Sequence, residues 1–249
     1  MHRRTFVASA LSLISATSAC GRAAETLDLP VAETNGLDAA LIAQTMAAAE
    51  ALPKLHSVIV ARDGQAQVER VLRGPGLDTA VNIKSASKSV LAGLGGIAIG
   101  RGVFQGVDQP ISRFLSDRFP ANPDPRLSQI TIGNLLSMQA GLGATSGPNY
   151  GAWVSSRDWV RYALARPFEA EPGGRMIYST GTSHLLSAAL TRASGRSTLA
   201  NMREWLGEPL DIAVAGWPAD PQGIYFGGND MRLSPRALLK FGELYRNDG

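Results

Sequence analysis

Residues 80–99 read AVNIKSASKSVLAGLGGIAI, a short extended segment that runs directly into an apolar helix. Ser85 stands at the start of that helix, where the positive end of the helix dipole stabilises developing negative charge. Lys88 follows three residues later, one turn along the same face, and can reach the Ser85 oxygen. This spacing indicates a serine paired with a lysine. Taken alone, the same residues also fit a serine helix cap beside a surface lysine.

The pairing has a chemical reason. A serine hydroxyl is a weak nucleophile until a neighbouring base takes its proton, and a lysine is a base only when it is neutral. Burial lowers the pKa of a lysine, and the apolar residues 90–99 supply that burial. The sequence therefore predicts Ser85 as a nucleophile and Lys88 as its general base.

The surrounding elements predict an α+β fold. Residues 57–62 (SVIVAR) and 67–72 (QVERVL) flank Asp63-Gly64, which is typical of a β-hairpin. Apolar spacing predicts helices over 38–51, 85–99, 110–116, 132–138, 157–165, 182–193, 198–206 and 235–246. The fold is thus an antiparallel sheet begun by an N-terminal hairpin, plus a large helical region. A lone hairpin is marginal, and after the short extended segment at 80–84 no further strand is predicted, so we expect the missing strands to lie beyond residue 249.

Composition and charge limit the classes of protein to which this chain can belong. With 45% hydrophobic and 18% charged residues, the chain reads as a folded globular protein. The net charge of +3 falls to +1 without Arg3 and Arg4, and the basic residues are scattered, so no nucleic-acid partner is predicted. Three histidines and one cysteine offer no zinc-site spacing, and neither His56 nor His184 sits in a recognisable triad context. No metal or organic cofactor is predicted.

The first 24 residues predict an export signal. A charged start, an apolar run from Phe6 to Ile14 and a small-residue stretch follow each other in the order of a secretory signal. Arg3 and Arg4 favour the twin-arginine route, with an ordinary secretory signal as the alternative. Cys20 stands where a lipoprotein cysteine would, so a lipid anchor through Cys20 and removal of this cysteine with the signal both stay open. The predicted destination is the periplasm.

Four segments, in this order, resemble the serine β-lactamase and penicillin-binding protein family, especially the branch near the class C β-lactamases that includes carboxylesterases and amide hydrolases. The segments are IKSASKSV (83–90), ITIGNLLSMQAGL (130–142), PGGRMIYST (172–180) and GGNDM (227–231), the last followed by FGEL (241–244). The resemblance extends over residues 57–249 and implies a β-lactamase/transpeptidase-like fold. It divides the chain into an export signal, residues 1–24, and one hydrolase domain, residues 25–249, incomplete at its C-terminus.

The resemblance also implies roles for individual residues. Ser85 would be the acylated nucleophile, Lys88 its base partner and Tyr178 the proton relay between the serine and the leaving group. Thr180 stands where many members carry an Asn that contacts the substrate amide, a departure that affects β-lactamase action more than esterase action. The family's third element, a strand bearing Lys or His, then Ser or Thr, then Gly, would lie beyond residue 249.

Together these observations predict an exported serine hydrolase that acts on a small-molecule ester, amide or β-lactam through a Ser85 acyl-enzyme. Two alternatives stay open. One is a catalytically silent or truncated penicillin-binding-like protein. The other is a D,D-carboxypeptidase, which would use the same residues on peptidoglycan peptides.

Overall fold

A computed structural model describes residues 36–249. The elements of this part are α1 (Ala39–Glu50), β1 (Ser57–Arg62), β2 (Gln65–Val71), β3 (Val81–Asn82), α2 (Ser87–Gly100), α3 (Ser112–Leu115), α4 (Ile132–Leu136), α5 (Tyr150–Val154), α6 (Trp159–Leu164), α7 (Thr180–Ser194), α8 (Thr198–Met202), α9 (Glu208–Leu210), β4 (Arg232–Leu233) and α10 (Pro235–Arg246). The predicted export signal and Cys20 lie outside the described residues. Across 36–249, no helix combines the length and the apolar character needed to cross a membrane.

The predicted hairpin is confirmed. β1 and β2 pair antiparallel, and the two turn residues Asp63 and Gly64 both have positive φ, at 52° and 78°. A two-residue turn of this kind matches the right-handed twist of the strands it joins. β2 begins at Gln65, two residues earlier than predicted, because the turn needs only two residues.

A second, very small sheet forms where none was predicted. β3 pairs antiparallel with β4, with Val81 opposite Leu233 and Asn82 opposite Arg232. Strands of two residues have no readable period, so their pairing depends on distant contacts. This pairing places the segment that leads into Ser85 beside the segment that follows residue 228.

α7 lies at the centre of the helical region. It packs against α2, α4 and α6, and its residues from Thr180 to Leu190 are all buried. The helix starts two residues before its predicted start and ends at Gly195, whose φ of 67° closes it in the left-handed conformation. The hydrophobic core around it includes the fully buried Leu91, Leu94 and Leu185.

Most of the other helices fall where apolar spacing places them, with differences at their ends. α10 has the predicted bounds, and Ser234 caps it by accepting from the Ala237 N–H. The predicted helix over 198–206 is α8 followed by a π-helical turn, Arg203–Gly207. α5 was not predicted, because one short turn of helix carries too little periodicity.

Candidate active site

Ser85 lies in a tight turn just before α2. Residues Lys84–Ala86 form a single 3-10 turn, and α2 begins at Ser87 rather than at Ser85 as predicted. The residues before Ser87 are held by hydrogen bonds of the 3-10 kind, from the Ala86 N–H to the Ile83 carbonyl and from the Ser87 N–H to the Lys84 carbonyl. Ser87 Oγ donates to the Lys84 carbonyl over 2.7 Å and fixes this turn. The Ser85 side chain is left exposed at the helix start, where another molecule can reach it.

Lys88 reaches Ser85 as its spacing predicts. Its Nζ lies 3.2 Å from Ser85 Oγ and 3.3 Å from Thr180 Oγ1, and it donates to the Gly228 carbonyl over 2.5 Å. Partial burial disfavours the charged ammonium and lowers the pKa of Lys88 from its usual value, although the nearby Tyr178 phenol acts in the opposite direction. The lysine is therefore poised closer to its neutral form than a surface lysine.

Tyr178 lies against the same amine. Lys88 Nζ is 5.1 Å from the centre of the Tyr178 ring, and 47% of the tyrosine remains exposed. Burial acts to raise the pKa of the phenol, but its hydrogen bond with Ser85 and the charge of Lys88 outweigh burial, so the pKa of Tyr178 is lowered. The structure thus brings Ser85, Lys88 and Tyr178, all predicted from sequence, into one cluster.

Sequence reasoning missed Ser146. Its Oγ lies 3.0 Å from Thr180 Oγ1 and accepts from the Thr180 N–H over 2.9 Å. Ser146 thereby holds the first residue of α7, and with it the hydroxyl that faces Lys88. No motif marks Ser146, since its partner lies 34 residues away.

The glycine turn at 227–228 is the other element that sequence reasoning did not assign to the site. The family resemblance singled out this glycine pair, but no role was attached to the Gly228 carbonyl. Side-chain hydrogen bonds fix the residues that follow the turn. Asn229 Nδ2 donates to Tyr150 Oη over 2.8 Å, and Asp230 Oδ1 accepts from Asn82 Nδ2 over 2.7 Å. Lys84 Nζ also lies 3.1 Å from that carboxylate oxygen.

A histidine-aspartate pair lies behind the 227–228 turn. His184 is wholly buried and pairs with Asp220, with 3.0 Å between Nε2 and Oδ2. Over residues 36–249, no three His, Cys, Asp or Glu side chains gather into a group that could hold a metal ion.

Comparison with known proteins identifies the family and the fold. The sequence matches the beta-lactamase family over residues 39–242. No curated protein matches it significantly. Among solved structures, a D-stereospecific amidohydrolase from Streptomyces sp. is similar at a TM-score of 0.66 and 19% identity, with 84% of this chain and 73% of that chain covered.

Two further similar structures share the fold at low identity. A beta-lactamase/D-alanine carboxypeptidase from Yersinia pestis gives a TM-score of 0.59 at 16% identity, covering 76% of this chain and 62% of that one. A penicillin-binding protein homologue from Pyrococcus abyssi gives 0.61 at 19% identity, covering 84% of this chain and 55% of that one. The chain thus spans between 55% and 73% of the lengths of these three proteins.

The fold is of the β-lactamase/transpeptidase type, and it carries a cluster of Ser85, Lys88 and Tyr178. The chain belongs to the beta-lactamase family.

Proposed function

We propose that this chain is an exported serine hydrolase that forms an acyl-enzyme on Ser85 from a small to medium-sized ester or amide and then hydrolyses it. The observation that carries the proposal is the 3.2 Å approach of the partly buried Lys88 Nζ to the exposed Ser85 Oγ. The amidohydrolase and carboxypeptidase names of two similar structures support the substrate class. Export is proposed from the sequence of residues 1–24 alone.

The hydrogen bonds of Lys88 suit a neutral amine that acts as a base. A neutral amine has two N–H donors and one lone pair. The Gly228 carbonyl can only accept, so it takes one N–H, and Thr180 Oγ1 is placed to take the second. The lone pair is then left for the hydroxyl proton of Ser85, which is the proton that must leave when the serine attacks.

The reaction then proceeds in two halves. Ser85 Oγ bonds to the substrate carbonyl carbon while its proton passes to Lys88 Nζ. The phenol of Tyr178, against the lysine, passes a proton to the leaving alcohol or amine as its bond to the carbonyl carbon breaks. Lys88 then returns its proton to the Tyr178 phenolate, which makes the amine neutral again. In the second half, water gives up a proton to Lys88 and attacks the acyl carbon. Lys88 passes that proton to Ser85 Oγ as the bond between this oxygen and the acyl carbon breaks, and the acid leaves.

The direct test is covalent labelling with a fluorophosphonate, which the serine oxygen attacks with loss of fluoride. We expect one adduct per chain by intact mass and, after digestion, its location on the peptide that carries Ser85. A chain that stays unmodified would favour the catalytically silent alternative, and an adduct on another residue would overturn the assignment of the nucleophile.

The labelling rate should also depend on pH in a defined direction. Because the base must be neutral, the rate is expected to rise as the pH increases through the pKa of Lys88, and burial lowers this pKa. The midpoint should therefore fall below the ordinary lysine value of about 10.4. The measurement is the labelling rate between about pH 5 and pH 10, with Ser85→Ala as the blank for reagent decay. A midpoint at the ordinary lysine value would contradict a role for the buried amine.

Gly228 offers a second test of the site's geometry. A Cβ at this position would lie 2.8 Å from Lys88 Cγ and 2.9 Å from Ser183 Cβ, so Gly228→Ala must displace the lysine stem. We expect slower labelling and a lower melting temperature. Gly102→Ala is the matched control, because Gly102 also has positive φ but a Cβ there meets nothing within 4 Å. The free energy of unfolding of the control should fall only by the backbone strain of a non-glycine residue at positive φ, about 1–3 kcal/mol. The control should be labelled at the parent rate. Equal labelling rates for the two variants would contradict the assignment.

A further inference from the structure

A buried histidine-aspartate pair lies directly behind the glycine turn. His184 on α7 and Asp220 both have fully buried side chains, and their Nε2 and Oδ2 atoms are 3.0 Å apart. The other carboxylate oxygen, Asp220 Oδ1, accepts from the backbone N–H groups of Gln222 and Ile224, each over 2.9 Å. Burial acts to raise the pKa of Asp220, but the hydrogen bonds from His184 and from these backbone groups outweigh it, and the pKa is lowered. Asp220 is thus a carboxylate whose two oxygens both accept.

These contacts fix the tautomer of His184. The Gly227 N–H points at His184 Nδ1 over 3.2 Å, and a backbone N–H can only donate. Nδ1 must therefore be the unprotonated nitrogen, so the ring proton sits on Nε2 and is donated to Asp220. Trp153, Trp159 and Phe226 pack edge-on against the ring, with centroids 5.4 to 6.1 Å away, and hold its plane.

The residue next to Gly227 contacts the lysine, so the hydrogen bond from the Gly227 N–H to His184 Nδ1 lies one residue away from Lys88. Gly228 follows Gly227, and its carbonyl accepts from Lys88 Nζ over 2.5 Å. The turn lies tightly against α7, since a Cβ at Gly227 would come within 2.5 Å of the Ser183 carbonyl and 2.7 Å of His184 Cα. Two consecutive glycines are otherwise free to adopt many conformations. By accepting the Gly227 N–H, His184 Nδ1 restricts the conformation of the turn and with it the direction of the Gly228 carbonyl.

We infer that His184, held in one tautomer by Asp220, is a positioning residue that fixes the 227–228 turn and thereby aims the Lys88 amine at Ser85. This inference rests on the proposed function. His184 touches neither Ser85 nor the lysine in this arrangement, and it acts through the backbone of the turn.

Two substitutions separate positioning from simple support of the fold. In His184→Asn, the side-chain oxygen can take the place of Nδ1 and accept from Gly227, while Asp220 loses its side-chain partner. In His184→Gln, the longer side chain can donate to Asp220, while Gly227 loses its acceptor. The Asn variant leaves a buried carboxylate oxygen without a partner, so it should be the less stable of the two.

The expected order of labelling rates is opposite to the order of stability. We expect His184→Asn to react with the fluorophosphonate within about fivefold of the parent chain, and His184→Gln to react about 100-fold more slowly, as for a catalytic group misplaced by about 1 Å. Melting temperatures of both variants are measured alongside. If His184 only supported the fold, the rates would follow the melting temperatures.

Asp220→Asn gives an independent test that keeps the histidine. Its oxygen must stay on the Gln222 and Ile224 N–H groups, so its amide NH₂ faces His184 Nε2 and forces the ring proton onto Nδ1. Two donors then face each other at Gly227, and labelling should slow by at least about tenfold, since misplacement of this kind is costly. Parent-like labelling of Asp220→Asn, or faster labelling of His184→Gln than of His184→Asn, would overturn the inference alone. An unlabelled parent chain would overturn the proposed function and this inference together.

Discussion

Replacing Ser85 with Ala should abolish fluorophosphonate labelling, because Thr180, whose hydroxyl lies 3.3 Å from the same amine, is buried. Lys88 Nζ lies 3.2 Å from Ser85 Oγ, and Ser85 is open to solvent at the start of α2. Removing one exposed hydroxyl changes the free energy of unfolding by no more than about 0.5 kcal/mol. The loss of labelling should therefore occur in a folded chain, which a thermal melt of the variant checks.

Ser89→Ala is the matched control for this experiment. Ser89 is also exposed and lies four residues further along the same segment, but the structure places the lysine against Ser85. The control should be labelled at the parent rate. Labelling that persists in Ser85→Ala, or that disappears in Ser89→Ala, would show that the assignment of the nucleophile to Ser85 is wrong.

The second large effect is expected at Lys88. Lys88→Met keeps a side chain of similar length but removes the base, and general base catalysis contributes about 10²- to 10⁴-fold to such steps. We expect labelling of Ser85 to slow by that factor. The measurement is the second-order rate constant for adduct formation, followed by intact mass at several reagent concentrations.

Lys88→Arg decides whether the lysine acts as a base or only as a positive charge. A guanidinium stays protonated in proteins, so this variant should be as slow as Lys88→Met. Lys240→Met is the control for loss of a lysine, since Lys240 lies on α10 and pairs with Asp211. A parent-like rate for Lys88→Arg would show that charge, rather than proton removal, is what Ser85 needs.

Much of the fold follows from local patterns. The hairpin around Asp63-Gly64 and helix α10 are set by turn chemistry, capping and apolar spacing, all of which act within a few residues. The pairing of β3 with β4 could not be predicted, because strands of two residues are stabilised by contacts between segments about 150 residues apart in the chain. The start of α2 was misplaced for a different reason, since no sequence signal distinguishes the 3-10 turn at Lys84–Ala86 from the first turn of an α-helix.

The site also combines features that the sequence predicts with features that it does not. The i, i+3 spacing of Ser85 and Lys88 predicts that they meet, and the structure confirms their contact, although Ser85 lies in the 3-10 turn that precedes α2. The proximity of Tyr178 was implied by the family resemblance, and the structure places its ring 5.1 Å from the lysine nitrogen. Ser146, the Gly228 carbonyl and the His184–Asp220 pair were not predicted as parts of the site.

The sequence by itself determined that Ser85 and Lys88 meet, because residues three apart in a helical segment lie one turn from each other. Only the tertiary structure decided the state of the Lys88 amine. The burial that lowers the pKa of Lys88 depends on how the chain packs around it, and the carbonyl that orients its amine comes from a turn 140 residues further along the chain. Burial and hydrogen-bond direction depend on which distant segments meet at the site, and a local sequence pattern does not contain that information.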